Sequence, residues 1–377
     1  MIKLGSYIEL VSGRDLTKSQ YNDKKKGIPY IMGASNMIDG ILNIERWTQE
    51  PTVIGKKDDL IISVKGTVGE LLILEENEVH LSRQVMAIRS KSGYEFKFIF
   101  YYLKYYLDRL KEKAKGMIPG ITREDILGAE FIEMNKDKQQ KIIKILDSAQ
   151  TLIDKRKDQI EELDELVKSR FIEMFGDPVS NPSGWNKCIL QECCSKITDG
   201  THDTPQRLSE GKLLITGKNI RRDKIDLTDI EYVSEEDHEI IYKRCNPEYG
   251  DVLYTNIGVN YGTAVINSLD YEFSMKNVAL LKPDKSKING IYLWHYLNLC
   301  RNFILEENKT GGAQTFMSLA TIKKLNVVIP SLELQNQFAA FVKQVDKLKF
   351  EMQESLKELE NNFNSLMQKA FNGELFS

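Results

Sequence analysis

Two segments decide the fold of this chain. Residues 137–175 read DKQQKIIKILDSAQTLIDKRKDQIEELDELVKSRFIEMF, and residues 333–371 read ELQNQFAAFVKQVDKLKFEMQESLKELENNFNSLMQKAF. The first contains neither proline nor glycine and is rich in Lys, Glu, Leu, Ile and Gln, which predicts one long helix. The second aligns with it without a gap, at an offset of 196 positions. The chain therefore contains an internal repeat, and each copy ends in a helix.

Apolar residues recur every seven positions along both segments, as in a coiled coil. The residues expected in the seam are Leu146, Ile153, Ile160 and Val167 in the first segment and Val342, Leu356 and Phe363 in the second. One such helix could pack on its own domain, but two in register, each about 50–60 Å long, are more economically explained by pairing with each other. Because the first helix leads into the second module and the last helix follows that module, we predict an antiparallel pair.

Upstream of each helix lies one copy of a mixed module. Three pairs of apolar, strand-like stretches match with gaps: 27–33 with 211–217, 57–63 with 249–255, and 81–88 with 273–280. The sequence thus predicts an α+β (mixed α/β) fold of two pseudo-repeated modules, each followed by a long helix, with the two helices paired as an antiparallel coiled coil. The expected boundaries are 1–136 and 178–331 for the modules, and 137–177 and 332–377 for the helices.

The formal net charge of the chain is −3. This value alone speaks against nucleic acid, because DNA affinity comes largely from cations that displace counterions around phosphates. Charges can be segregated, however. Runs such as Lys24-Lys25-Lys26, or Lys218 with Arg221-Arg222, could form basic faces. Each run by itself could equally be solvated surface, so the charge leaves a DNA partner open.

The sequence predicts a cytoplasmic protein without a membrane segment. No apolar run approaches the length of a membrane span, and the first residues lack the layout of a signal peptide. The five cysteines lie in the second half, without CxxC spacing, which favours reduced structural thiols over a disulfide framework or a zinc site. They are Cys188, Cys193, Cys194, Cys245 and Cys300.

Two related but unlike modules joined by long helices suit a DNA target of two short half-sites separated by unread bases. Glycine turns let the backbone approach phosphates or base edges, and Arg, Lys, Asn and Gln can hydrogen-bond guanine or adenine. In the first module we expect DNA contacts from Ser35, Asn36, Lys65, Thr67, Arg83 and Gln84. In the second we expect them from Thr201, His202, Lys218, Asn219, Arg221, Arg222, Asn256, Asn260, Tyr261, Lys276, Asn277 and Gln314. For any one of these residues a surface or turn role is the alternative.

The motifs of several catalytic classes are missing from the sequence. It contains no GxxxxGK[ST] phosphate loop, no [ND]PP[YF] tetrapeptide to hold a flipped adenine and no GxGxxG cofactor loop. The four histidines lack metal-binding spacing. We therefore expect a non-catalytic chain with no metal or cofactor of its own.

Three longer patterns carry a family resemblance. Residues 198–205 read TDGTHDTP, residues 250–258 read GDVLYTNIG, and residues 329–335 read IPSLELQ at the start of the last helix. In these stretches, and through essentially its whole length, the chain resembles the specificity subunits of type I restriction-modification systems. In the first module, residues 5–14 read GSYIELVSGR where the second module has its Asp-Gly-Thr-His opening, so the DNA-contacting loop of the first module is not assigned by the pattern.

The resemblance implies that each module is a target recognition domain that reads one half-site of a bipartite, asymmetric DNA target. It implies that the paired helices form a conserved spacer that sets the distance between half-sites. The implied partners are double-stranded DNA, two methyltransferase (modification) subunits and, in the full complex, restriction (translocase) subunits. S-adenosylmethionine, ATP and Mg²⁺ are expected on those partner subunits and not on this chain.

Two other functional classes remain open from the residues alone. The first is a stand-alone coiled-coil DNA-binding regulator or scaffold that needs no enzyme partner. The second is an autonomous nuclease, which would cut DNA in a metal-dependent way. Within the leading interpretation, the sequence does not distinguish a separate three-gene system from a fused restriction-methylation partner.

Overall fold

A computed structural model of the chain describes residues 2–38, 40–91, 94–114, 120–258, 260–308 and 316–376. Its contacts divide the chain into two units. Unit 1 contains Met1–Lys157 and Glu354–Ser377, and unit 2 contains Asp158–Gln353. Each unit therefore consists of one module together with part of each long helix.

Unit 1 is rich in short strands, because its β-branched and aromatic residues stand in brief runs between glycine-containing turns. The strands are β1 (Ile2–Lys3), β2 (Ile8–Ser12), β3 (Ile28–Ile31), β4 (Met37–Ile38), β5 (Ile41–Leu42), β6 (Trp47–Thr48), β7 (Ile54–Lys56), β8 (Leu60–Ser63), β9 (Leu71–Ile73), β10 (Glu78–Leu81), β11 (Val85–Ser90) and β12 (Glu130–Phe131). The helices are α1 (Phe96–Lys113), α2 (Arg123–Leu127) and α3 (Lys136–Phe175), of which α3 continues into unit 2.

Two sheets build the module of unit 1. The first has the strand order β2-β11-β8-β9 and is antiparallel, and the second has the order β6-β3-β10-β7. Side chains alternate between the two faces of a strand, so β8 contributes to two cores. Ile62 packs with Phe98 of α1, whereas Ile61 packs with Leu81 of the second sheet. The first sheet thus lies between the helices and the second sheet.

Unit 2 has the same composition of short strands and helices. Its strands are β13 (Asn186–Ile189), β14 (Cys194–Asp199), β15 (Lys212–Thr216), β16 (Glu231–Val233), β17 (Val252–Thr255), β18 (Ala264–Ile266), β19 (Ser274–Lys276), β20 (Val278–Pro283) and β21 (Asn326–Ile329). Its helices are α4 (Leu190–Cys193), α5 (Glu235–Cys245), α6 (Gly290–Leu299), α7 (Arg301–Glu307), α8 (Leu319–Lys323) and α9 (Leu332–Phe371), of which α9 ends in unit 1.

The sheet order of unit 2 repeats that of unit 1. The antiparallel sheet β14-β20-β17-β18 corresponds to β2-β11-β8-β9, and the pair β13-β21 corresponds to β1-β12. The parallel pair β15-β19 corresponds to β3-β10. The internal repeat predicted from the sequence is therefore confirmed at the level of topology. One local difference is that the long α1 of unit 1 is matched in unit 2 by two successive helices, α6 and α7.

An ion pair with a buried carboxylate occupies the same place in both units. In unit 1, Arg89 on β11 donates to Asp59, with Nε 2.9 Å from Oδ1. In unit 2, Lys282 on β20 lies 2.8 Å from Asp251, measured from Nζ to Oδ2. In each case the carboxylate immediately precedes the central strand and the cation comes from its neighbour. Because a buried charge is costly without its partner, each pair ties the two strands that lead to the turns described below.

A buried glutamine begins each long helix at equivalent positions. Gln139 and Gln335 are both fully buried. The amide oxygen of Gln139 accepts the backbone N–H of Glu95 at 3.1 Å, and that of Gln335 accepts the backbone N–H of Asn289 at 2.8 Å. Glu95 and Asn289 are the N-cap residues of α1 and α6. The glutamines therefore satisfy backbone donors at these helix starts and join each module to its helix.

Within each unit the parts of α3 and α9 pack against each other. The core of unit 1 includes Ile142, Leu146 and Ile153 of α3 with Phe363, Met367 and Phe371 of α9. The core of unit 2 includes Leu163, Val167, Phe171 and Phe175 of α3 with Phe338, Val342 and Val345 of α9. In unit 1 the start of α3 meets the end of α9, and in unit 2 the reverse holds, so the pairing is antiparallel, as predicted. Of the predicted seam residues, Ile160 and Leu356 are half-buried.

The prediction that all five cysteines are reduced was wrong for two of them. Cys188 and Cys193 are joined by a disulfide, whereas Cys194, Cys245 and Cys300 are free and buried. Cys188 lies in β13 and Cys193 ends α4, which follows β13 directly. The two cysteines are five positions apart, and the sequence does not show whether so close a pair is oxidised. No helix in the described part of the chain is long and apolar enough to cross a membrane.

Candidate nucleic-acid interface

Three turns come together in each unit at the ends of the paired strands. The entry turn follows the first sheet strand (residues 13–15 in unit 1, 200–203 in unit 2). The linking turn precedes β11 or β20 (residues 82–84 and 276–277). The glycine turn follows the central strand (residues 64–69, and 256–262 without 259). We call the surface formed by these turns the turn surface of each unit.

The entry turns are built around glycines that admit no side chain. A Cβ on Gly13 would stand 1.9 Å from the carbonyl oxygen of Ser82, and a Cβ on Gly200 would stand 2.0 Å from that of Met275. The backbone N–H of Gly13 donates to Val85 at 3.3 Å. The N–H of Gly200 donates in the same way to the carbonyl of Val278, the first residue of β20. Strand register therefore equates Gly13 with Gly200, and Arg14 and Asp15 with Thr201 and His202.

In unit 2 the entry turn is fixed by a histidine. His202 Nε2 lies 2.6 Å from Oδ2 of Asp199, and its Nδ1 lies 3.1 Å from Oδ1 of Asn277 in the linking turn. Asp199 is buried, and its second oxygen accepts a hydrogen bond from Arg244 at 2.5 Å. His202 and Arg244 are each about half exposed, with 52% and 51% of the side chain accessible. One buried carboxylate thus holds two accessible donors.

In unit 1 the same two turns are joined by an ion pair. Asp15 accepts the backbone N–H of Arg83 at 3.0 Å, and its second oxygen lies 2.8 Å from Arg83 Nε. Most of the Arg83 side chain is accessible. The contact between entry turn and linking turn is therefore present in both units, but it is made by different chemical groups.

The glycine turns lie against the short 3-10 turns that follow β3 and β15. In unit 1, the amide oxygen of Gln84 would stand 2.5 Å from a Cβ on Gly33 and 3.8 Å from a Cβ on Gly66. In unit 2, the amide of Asn260 donates to the carbonyls of Gly217 and Ile220, each at 3.0 Å. Gln84 and Asn260, both predicted to contact DNA, thereby meet residues from separate stretches of the sequence.

Two asparagines predicted to read bases have internal structural roles. Asn36 and Asn219 are buried at equivalent turns. The Asn36 amide nitrogen donates to the carbonyl of Asn43 at 2.8 Å, and that of Asn219 donates to the carbonyl of Asp226 at 3.0 Å. Each amide oxygen accepts a backbone N–H of its own turn. Buried amides that are satisfied in this way hold a turn closed rather than present themselves to a ligand.

Three other predicted residues of unit 2 are buried as well: Thr201, Asn256 and Tyr261. Thr201 accepts the backbone N–H of Asp203. Burial raises the pKa of Tyr261. Among the described residues, the amide oxygen of Asn256 has no hydrogen-bond partner. Of these three, Asn256 therefore keeps an unused polar group beside the turn surface.

Two predicted cations of unit 2 are paired with carboxylates of their own unit. Lys218 Nζ lies 2.9 Å from Asp229 and 3.2 Å from Glu231, and the bond to Asp229 raises the pKa of Lys218. Arg221 lies 3.2 Å from Asp226. The hydroxyl of Thr228 is the main group that lowers the pKa of Asp226, to about 2, so this acid stays ionised. Contact with a phosphate would require both cations to exchange these partners.

The remaining predicted residues stay accessible. In unit 1 the exposed ones are Ser35, Lys65, Thr67, Arg83 and Gln84, and in unit 2 Arg222 is exposed while Lys276 and Asn277 are half-buried. Lys276 Nζ lies 2.5 Å from the hydroxyl of Thr204. The prediction for Gln314 falls on a residue outside those that the structure describes.

Sequence reasoning missed Asp15 of the turn surface of unit 1, and it missed Asp199 and Arg244, which are hydrogen-bonded to each other beside the turn surface of unit 2. Asp199 stands inside the TDGTHDTP pattern, next to the predicted Thr201 and His202, so the pattern was a usable signal. Arg244 lies 45 positions from Asp199 along the chain, and nothing in the sequence pairs them. The described residues contain no group of three or more His, Cys, Asp or Glu side chains placed to hold a metal ion.

Comparison with known proteins identifies the family. The family described as type I restriction modification DNA specificity domain matches residues 1–164 and again residues 182–361. The type I restriction enzyme EcoBI specificity subunit of Escherichia coli is 20% identical, with 99% of this chain and 85% of that protein covered. A structure of the S subunit from M. genitalium is 20% identical with a TM-score of 0.54, covering 98% of this chain and 95% of that one.

A second solved chain comes from work on complex assembly and conformational transition of the type I R-M system. It is 18% identical, with a TM-score of 0.60, and the match covers 99% of this chain and 97% of that one. At these identities the structural matches establish the shared fold, and the family match covers both modules. The chain belongs to the type I restriction-modification DNA specificity family.

Proposed function

We propose that this chain is the DNA sequence-specificity subunit of a type I restriction-modification complex. It reads a bipartite, asymmetric DNA target, with one half-site for each module, and carries no catalytic site. One observation supports this most directly. The contact between entry turn and linking turn is built twice on one scaffold, by Asp15 with Arg83 in unit 1 and by His202 with Asn277 in unit 2. Equivalent scaffolds with different exposed donors and acceptors suit two different half-sites.

The helices provide the second part of the proposal. The target recognition domains are residues 1–136 and 178–331, and the spacer helices are residues 137–177 and 332–377. The antiparallel pairing of α3 and α9 within each unit supports a spacer that sets the distance between the two half-sites. Its length of 40 residues in each helix corresponds to about 60 Å.

The partners follow from the proposed role. The chain docks two methyltransferase (modification) subunits and, in the full complex, restriction (translocase) subunits, and it acts on double-stranded DNA in the cytoplasm. S-adenosylmethionine, ATP and Mg²⁺ are used by the partners. The alternative of a stand-alone coiled-coil DNA-binding regulator or scaffold is not supported by the comparisons, because the relatives are named specificity subunits.

Methylome sequencing tests the proposal directly. Genomic DNA is compared between cells that carry the intact gene and cells in which it is deleted, with the partner genes left in place. We expect one bipartite methylation motif to disappear on deletion and to return when the gene is supplied in trans. An unchanged methylome in a strain whose methyltransferase subunits are expressed would contradict the proposal.

A further inference from the structure

A chain of hydrogen bonds runs from the buried sheet of unit 2 to its turn surface. It begins at Asp199, which ends β14 and is only 3% exposed. It passes through the imidazole of His202, 2.6 Å away, and ends at the amide of Asn277, 3.1 Å beyond the other ring nitrogen. His202 lies in the entry turn and Asn277 in the linking turn, and the hydrogen bonds restrict the positions of all three side chains.

The acceptor groups determine which atoms donate in this series of hydrogen bonds. Both ring nitrogens of His202 face oxygen atoms, Oδ2 of Asp199 and Oδ1 of Asn277. An amide oxygen only accepts hydrogen bonds, so Oδ1 of Asn277 takes its bond from His202. The amide oxygen of Asn277 is then occupied.

The amide nitrogen of Asn277 is left unused. It has no hydrogen-bond partner among the described residues, and the side chain is half-buried in the linking turn. The backbone of Asn277 has a φ of 55°, in the left-handed region that asparagine tolerates better than most residues. The backbone and the imidazole therefore both restrict this side chain, and an NH₂ group that is oriented before binding costs less entropy to place against a ligand.

We propose that Asn277 is a specificity-determining residue of unit 2, whose amide NH₂ donates to an acceptor on a base edge of the DNA, and that Asp199 and His202 are positioning residues. The inference rests on the proposed function and deepens it. Suitable acceptors in the major groove are N7 of a purine, O6 of guanine and O4 of thymine.

The equivalent turns of unit 1 support a role in recognition rather than in folding. There, Asp15 and Arg83 make the contact between entry turn and linking turn, and the turn closes without a histidine or an asparagine. The fold thus requires some contact at this place but not this one. A fixed NH₂ donor in one unit and an accessible guanidinium in the other would read different bases.

The test uses the full chain assembled with its methyltransferase subunits. Binding is measured on duplexes that carry the methylome-defined target and on duplexes in which each base pair of either half-site is changed singly. The variants are Asn277→Gly, Asn277→Asp, His202→Phe and the double variant of Asn277→Gly with His202→Phe. Asn181→Gly is the matched control, because Asn181 is another left-handed asparagine of unit 2, with its amide bonded to Trp185 in a different loop.

For Asn277→Gly and Asn277→Asp we expect discrimination at one base pair of one half-site to fall about tenfold, with discrimination at the other half-site unchanged. His202→Phe should weaken discrimination at the same base pair. Because His202 acts through Asn277, adding His202→Phe to Asn277→Gly should cause no further loss. Asn181→Gly should leave the whole discrimination profile as it is in the wild type.

Besides unchanged discrimination in the Asn277 variants, two results would overturn the inference. One is weaker binding by the Asn277 variants that is uniform over all duplexes and reduces the salt dependence, which is the behaviour of a phosphate contact. The other is additive loss in the double variant, which would separate His202 from Asn277. The wild-type complex distinguishes failure of the proposed function from failure of this inference. If it does not bind a bipartite target at all, the proposed function fails, whereas wild-type specificity with unchanged Asn277 variants refutes only this inference.

Discussion

The ion pair between Asp251 and Lys282 offers a quantitative test of how unit 2 supports its turn surface. The side chains of Asp251 and Lys282 are 9% and 11% exposed. Replacing the cation by Lys282→Met keeps most of the apolar volume but leaves a buried carboxylate without its partner. Removal of one member of a buried ion pair costs about 3–5 kcal/mol. The same change in unit 1, Arg89→Met, should cost less, since Arg89 is 29% exposed and water can replace it.

The pH dependence of this loss has a definite sign. Burial raises the pKa of Asp251, and Lys282 opposes that rise. In Lys282→Met the pKa of Asp251 should therefore rise further. A carboxyl whose pKa is higher in the folded than in the unfolded state destabilises the fold at neutral pH. That penalty disappears as the pH falls through the folded-state pKa toward the ordinary range near ~4. The deficit of Lys282→Met should shrink on acidification.

Hydrogen exchange followed by mass spectrometry can measure this effect unit by unit. The protection of amides in β17 and β20 should fall in Lys282→Met at neutral pH, while β8 and β11 of unit 1 stay protected. The double variant of Lys282→Met with Asp251→Leu should recover most of the protection, because neither charge is then buried alone. Wild-type protection in Lys282→Met at neutral pH, or a deficit that grows on acidification, would refute the reasoning.

Two further predictions concern the entry turns and the helices. Gly200→Ala should disturb the entry turn of unit 2, because its Cβ would stand 2.0 Å from a backbone carbonyl. Methylome sequencing should then show relaxed recognition of one half-site only. Gly13→Ala should relax recognition of the other half-site. Relaxation of the same half-site by both variants would contradict the pairing of units with half-sites. Inserting one heptad into both α3 and α9 adds about 10 Å of helix, so the unread spacer should lengthen by about three base pairs with the half-site bases unchanged. Altered half-site bases with an unchanged spacer would contradict the proposed role of the helices.

Much of the fold could be predicted from the sequence, because the signals that define it are local and periodic. The heptad repeats of α3 and α9, and their alignment without a gap, predict two equivalent helices whatever the fold of the modules. The strand-like stretches repeat with gaps for the same reason, since each must bury one face in an equivalent core. The family resemblance was visible at the same level, in patterns such as residues 198–205.

The composition of the turn surface was decided by tertiary structure. Asn36 and Asn219 have the residue type of base readers, yet the fold turns their amides inward to satisfy backbone groups. In the sequence Lys218 belongs to a basic run, but in the fold β16 and its preceding loop bring two acids to it. Residue type determines which hydrogen bonds a side chain can make, but only the fold determines which partners are near.

The two entry turns show most clearly which features depend on tertiary structure. Apart from the first glycine, nothing in residues 13–15 resembles residues 200–202, and only the strand register of β2 with β11, and of β14 with β20, places them at one position. The sequence by itself determined two copies of a scaffold and the helices that join them, because hydrophobic periodicity acts within short stretches of chain. Tertiary structure decided which polar groups face outward, because that depends on contacts between residues far apart in the sequence.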